Sequence, residues 1–128
     1  MRIIHSFIHA FRGIALVFRE EPSFRIQTGI GVVALALAWY LAVRPWEFIV
    51  LLLVAVLVLV LELGNSVVER MVDMFRPRLH HAVGDIKDLM AATVLFASIG
   101  AAVIGLVILL PYMLHYFILF FTFIDSRY

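Results

Sequence analysis

Ile49-Val50-Leu51-Leu52-Leu53-Val54-Ala55-Val56-Leu57-Val58-Leu59-Val60-Leu61 runs directly into Glu62-Leu63-Gly64-Asn65-Ser66-Val67-Val68-Glu69-Arg70-Met71-Val72-Asp73, and this stretch decides the fold. Between Glu47 and Glu62 no residue carries a charge. A run apolar on every side belongs in lipid, where a helix satisfies its own backbone. The helical pattern continues to Phe75, predicting a helix over 47–75 that outlasts the ~20 residues needed to cross a bilayer.

The rest of the chain agrees. Of its 128 residues 65% are hydrophobic and 15% charged, more apolar than a water-soluble domain of this length can hide. One compact unit over 1–128 is expected, an all-α integral membrane protein. A net charge of +1 offers no basic field, so no nucleic-acid partner is expected. The absence of cysteine excludes disulfides, thiolate chemistry and cysteine-ligated metals. No apolar run with a cleavage site precedes Arg12, so no removable signal peptide is expected.

Upstream of the central helix, Ile3, Ile4, Phe7, Ile8, Phe11, Ile14, Ala15 and Phe18 recur at three-and-four spacing, with His5, His9, Arg12 and Arg19 off that face. This predicts an amphipathic helix over 1–20, lying on the membrane surface or packed on the protein's own helices. Pro22 biases Glu21 away from the helical region, which ends this helix with two carboxylates at the interface. A first membrane helix is read over 24–43, with Trp39 and Tyr40 as interfacial anchors and Arg44-Pro45 as the turn.

Downstream, Arg76 to His81 reads as a polar connection and 85–110 as a third membrane helix stopping at Pro111. The apolar tail over 112–128 is short for another crossing, so it either extends the third helix or lies in the interface. Basic residues gather at the N-terminus and around 70–87, leaving Arg44 alone in the opposite loop; the positive-inside rule therefore places the N-terminus and the acidic clusters in the cytoplasm.

At about 100° per residue, Glu62, Asn65, Glu69 and Asp73 share one helix face. An acid abutting so long a charge-free run is a functional-site candidate by default. Carboxylates stacked with an amide supply hard oxygen ligands for Mg2+ and a base beside a hydroxyl, as phosphoryl transfer requires. Asp73 fits an ordinary solvated acid equally well. In the second cluster, His80-His81-Ala82-Val83-Gly84-Asp85-Ile86-Lys87-Asp88, Lys87 could neutralise phosphate and Asp88 could accept from the nucleotide. Helix-dipole stabilisation and a snorkelling lysine explain that pair as well. No Walker-type phosphate loop, GxGxxG or GxSxG motif is present. A non-catalytic scaffold or ion-conducting oligomer with Glu62 in a polar seam is the alternative, although a pore spreads polar residues through the depth of a span.

Glu62, Asn65, Ser66, Glu69 and Asp73, followed by Lys87-Asp88, resemble the pattern E-x-x-N-[ST]-x-x-E-x-x-x-D…KD of the prokaryotic diacylglycerol kinase and undecaprenol kinase family. Ala10, Gly13, Glu21, Phe24 and Arg25 match the family's upstream A-x-x-G…E-x-x-F-R, and the likeness covers about residues 2–111. It implies a homotrimer of three-span subunits in the bacterial inner membrane, with active sites shared between subunits at the cytoplasmic face. It further implies an ATP-dependent kinase acting on undecaprenol or diacylglycerol. Glu62 would be the general base, and Glu21 and Glu69 the Mg2+ ligands. Arg2, His9, Glu21, Asn65, Glu69, Asp73, His80, Lys87 and Asp88 would surround ATP, while Arg25, Glu62 and Ser66 would face the lipid. Trp46-Glu47 and the run from Ile104 to Pro111 are more similar to the undecaprenol kinase branch. The tail from Tyr112 to Tyr128 departs from the family pattern.

Overall fold

The computed structural model describes residues 2–75 and 80–125, apart from the side chains of residues 2, 75 and 80–83. Four helices follow one another: α1 over Arg2–Glu20, α2 over Pro22–Tyr40, α3 over Pro45–Phe75 and α4 over His80–Asp125. α3 packs between α2 and α4, and α1 touches α2 and α3.

Proline and local chain geometry set the first two breaks. Glu21 is extended (φ −104°, ψ 106°) because Pro22 follows it, and Pro22 opens α2 where its missing N–H costs nothing. α2 ends in two bonds that fold the chain back, Val43 N–H to the Ala38 carbonyl at 3.2 Å and Ala42 N–H to the Trp39 carbonyl at 3.1 Å. That pairing is a Schellman turn, in which Ala42 takes the left-handed conformation (φ 50°) usually left to glycine. Arg44-Pro45 then starts α3, and the Glu47 carboxylate accepts from the Arg44 backbone N–H at 3.0 Å, one half of a capping box.

The packed core lies at this turn. Ala38, Leu41, Val43, Leu51, Ile108 and Leu109 are buried together, where α4 covers the α2–α3 corner. Tyr112 donates to the same Glu47 carboxylate, tying α4 to the corner.

The helix bounds differ from those expected, most of them outward but the end of α2 inward, at Tyr40 rather than 43. α2 starts at Pro22 rather than 24 and ends at Tyr40, while α3 starts at Pro45. α4 is already helical at His80, inside the stretch read as a connection, whose residues 76–79 lie outside the described ones. The expected stop at Pro111 does not occur: α4 continues through it to Asp125, so the tail is an extension of the helix. Pro111 removes one bond, to the Val107 carbonyl, but in an unbroken apolar sequence no turn residue supplies a competing conformation.

α3 and α4 are long and apolar enough to cross a membrane, yet only 17% and 11% of their most apolar windows are buried. A soluble core helix would be mostly covered. Their outward apolar surfaces need lipid or protein against them, and the chain is a membrane protein. α2 is shorter, 19 residues, and Arg25, Gln27 and Thr28 make its first turns polar.

Candidate functional site

The end of the bundle opposite the core holds the acids. Among the described residues, Glu62 and Ser66 are the buried polar side chains, 6% and 2% exposed. Helical spacing explains the arrangement: Ser66 lies one turn beyond Glu62 and returns its hydroxyl to the Glu62 carbonyl at 3.2 Å. The Glu62 carboxyl is thereby left free to face its neighbours. Those neighbours are Ser23 at the start of α2, Glu21 at the α1–α2 break and Glu69 two turns along α3.

Asn65 stands on the same face and donates its amide N–H to Glu69 Oε1 at 3.4 Å. The amide oxygen, Oδ1, is buried and has no hydrogen-bond partner among the described residues. Further out, Lys87 of α4 reaches Asp73 Oδ1 at 2.9 Å. That ion pair joins the two acidic clusters into one surface. Beside it, Arg70 pairs with Glu20 at 2.8 Å, linking the end of α1 to α3.

The stripe read from periodicity is therefore one continuous surface, grading from buried Glu62 through half-buried Asn65 and Glu69 to exposed Asp73. Glu21 joins it from the α1–α2 break and Lys87 from α4. Asp88, Arg25 and His9 are exposed. The side chains of Arg2 and His80 lie outside the described residues. Ser23 was not expected at the site; as a lone hydroxyl after a proline it reads from sequence as an ordinary helix-start residue.

Among the described residues no three His, Asp or Glu side chains form a ready-made metal cage. Two carboxylates beside one uncommitted amide oxygen nevertheless suit Mg2+, which keeps several waters and binds through one or two carboxylates plus substrate phosphates. Glu21, Glu69 and Asn65 Oδ1 are the groups that fit it.

A cleft of about 440 Å³ lies between α2, α3 and α4 on the core side of this site. Val58, one turn before Glu62, lines it along with Gly31, Ala55 and Leu106. Gly31 of α2 faces Ala55 of α3, where an added Cβ would meet Ala55 Cβ at an ordinary contact distance of 3.6 Å. Two buried polar atoms in the cleft, Gln27 Oε1 and Ser98 Oγ, have no hydrogen-bond partner among the described residues. Polar groups at membrane depth are the sequence signal for them.

Residues 8–109 match the family described as prokaryotic diacylglycerol kinase. A diacylglycerol kinase of Synechocystis is 35% identical over 113 residues, 88% of this chain and 65% of that protein, so the chain spans about two thirds of that relative's length. An undecaprenol kinase of Bacillus subtilis is 29% identical over 110 residues, 86% of this chain and 89% of its own. The diacylglycerol kinase of Escherichia coli K12 is 31% identical over 109 residues, 84% of this chain and 88% of that protein. The carboxylate face, the bordering cleft and these similarities agree, and the chain belongs to the prokaryotic diacylglycerol kinase family of lipid phosphotransferases.

Proposed function

We propose that this chain is an ATP-dependent kinase that phosphorylates the hydroxyl of a membrane lipid alcohol, undecaprenol or diacylglycerol, with Glu62 as general base. The observation that carries the proposal is the position of Glu62: a buried carboxyl at the end of an apolar run, with Glu21 and Glu69 near it and an apolar cleft beginning one turn back along α3 at Val58. At 1.5 Å per residue Glu62 lies about 22 Å along α3 from Glu47, within reach of a bilayer whose hydrocarbon is ~30 Å thick. A lipid hydroxyl can reach that depth, and a nucleotide can approach from the far side.

The lipid oxygen attacks the γ-phosphorus, the bond to the β-phosphate oxygen breaks, ADP leaves, and the hydroxyl proton passes to the Glu62 carboxylate. Ser23 orients that carboxyl, and Ser66 and Arg25 are assigned to the lipid side. Bound Mg2+ would neutralise charge on the phosphates, held by Glu21 and Glu69. Arg2, His9, Glu21, Asn65, Glu69, Asp73, His80, Lys87 and Asp88 are assigned to ATP, with Lys87 meeting phosphate once it leaves Asp73.

The assembly proposed is a homotrimer with shared sites, in which α2, α3 and α4 each span the bacterial inner membrane. α1 lies on the cytoplasmic face, where the positive-inside rule also places the site. A non-catalytic oligomer is not favoured, because the relatives are named as kinases and Glu21, Glu62 and Glu69 gather at one end of the bundle. Purified protein offered labelled ATP, Mg2+ and, in separate reactions, diacylglycerol and undecaprenol is expected to label at least one lipid. Label in neither, from a folded protein, rules the proposal out.

A further inference from the structure

Glu20 and Glu21 are adjacent acids with separate partners. Glu20 is the last residue of α1, and its carboxylate accepts from the Arg70 guanidinium at 2.8 Å. Glu21 is already extended, leads into α2 and lies near Glu62. The same division recurs on α3: Glu69 lies near Glu62, while Arg70, one residue on and about 100° around the helix, turns to α1. The Glu20–Arg70 pair therefore joins the two residues that stand next to the candidate Mg2+ ligands, Glu21 and Glu69.

Those two carboxylates come from different elements, so their separation depends on how the α1–α2 break is held against α3. Glu21 moves with the end of α1, because its backbone N–H donates to the Val17 carbonyl at 2.8 Å. Phe18 meets Phe24 edge-on at 6.3 Å, joining α1 to α2 by apolar contact, which has no direction. The ion pair supplies a directed link from that corner to α3. Two neighbouring carboxylates also repel each other until a cation arrives, and Mg2+ accepts little departure from octahedral geometry. A tie that resists the repulsion favours the metal.

We propose that Arg70 is a positioning residue for the metal site: clasped to Glu20, it holds Glu21 and Glu69 at the spacing that Mg2+ requires. The inference rests on the reading of Glu21 and Glu69 as metal ligands. Arg70→Ala, Glu20→Gln and the double variant of the full-length protein separate a clasp from a charge effect. A through-space field acts with opposite signs, since losing the cation favours a bound dication and losing the anion disfavours it. A clasp fails in the same way from either side. Mn2+ stands in for Mg2+ and is titrated in detergent with an ATP analogue whose β–γ bridge is a methylene. Enhanced relaxation of water protons then reads the metal slowed by the protein, without turnover.

An exposed ion pair shifts a linked equilibrium by no more than its own strength, so each single variant is expected to weaken Mn2+ binding about two- to fivefold, with the double variant no weaker than either. The Mg2+ concentration for half-maximal phosphate transfer is expected to rise alike, while turnover at saturating Mg2+ stays within about twofold of the parent's. Opposite shifts in the two single variants, unchanged affinity in both, or additive losses in the double variant would overturn the proposal. Glu69→Gln tells the two levels apart. If it weakens Mn2+ binding and Arg70→Ala does not, the metal assignment stands and the clasp fails. If it leaves Mn2+ binding unchanged, the metal assignment fails and the clasp fails with it.

Discussion

Glu62 combines two requirements that usually conflict: it is 6% exposed, yet it keeps acidic neighbours. Burying a carboxyl is costly without partners, and here Ser23 is beside it while Ser66 satisfies itself on the backbone. The stripe of Glu62, Asn65, Glu69 and Asp73 was legible in the sequence, because helix periodicity places side chains by angle alone. Glu21 and Ser23 were not legible from spacing, since their approach depends on the bend at Pro22 and on tertiary packing; Glu21 was found by resemblance. If Glu69 holds Mg2+ with Asn65 beside it, Glu69→Gln raises the Mg2+ concentration needed for half-maximal activity about 10–100-fold, read from a Mg2+ titration at saturating ATP. An unchanged requirement removes Glu69 from the metal site. Arg70 behaves differently: its pair with Glu20 is substantially exposed, so Arg70→Ala is expected to cost no more than about 1 kcal/mol in an unfolding titration.

The helices follow from runs and breakers that can be read directly, but their ends follow from hydrogen bonds that cannot. Pro22 and Pro45 stand at the breaks expected of them, and each also opens the following helix, which was expected to begin two residues later. Pro111 looks the same in sequence, yet α4 passes through it, because a proline stops a helix only where the next residues favour another conformation and Tyr112 onward does not. The α2–α3 turn is the opposite case: no glycine marks it, and Ala42 takes the left-handed conformation under the constraint of the Schellman bonds. For an L-residue that conformation costs about 1–2 kcal/mol, partly offset in a glycine variant by ~0.4–1 kcal/mol of extra unfolded-state freedom. Ala42→Gly is therefore expected to stabilise the protein by about 0.5–1 kcal/mol, seen as a raised unfolding midpoint. An unchanged or lowered midpoint shows that the turn carries no such strain.

Across the whole molecule, the core at one end and the Glu62 cluster at the other divide the labour. Buried apolar residues around Ala38 and Ile108 hold three helices at the turn, leaving the far end open for polar groups and a cleft between them. The membrane character was legible from composition, because no arrangement of so few charges covers this much apolar surface. Assembly was not legible from pattern, since small residues such as Gly31 serve contacts within a chain as readily as between chains. If the proposed trimer forms, cross-linking in lipid nanodiscs yields a species of three 14.5 kDa chains, and a ladder ending at one or two chains refutes it. The central claim is that Glu62 takes the proton of the lipid hydroxyl, and its most direct test is the turnover of Glu62→Gln against the parent protein at saturating ATP, Mg2+ and lipid. With folding and assembly matched, phosphate transfer to lipid is expected to fall about 10²–10⁴-fold; turnover equal to the parent's would contradict the assignment.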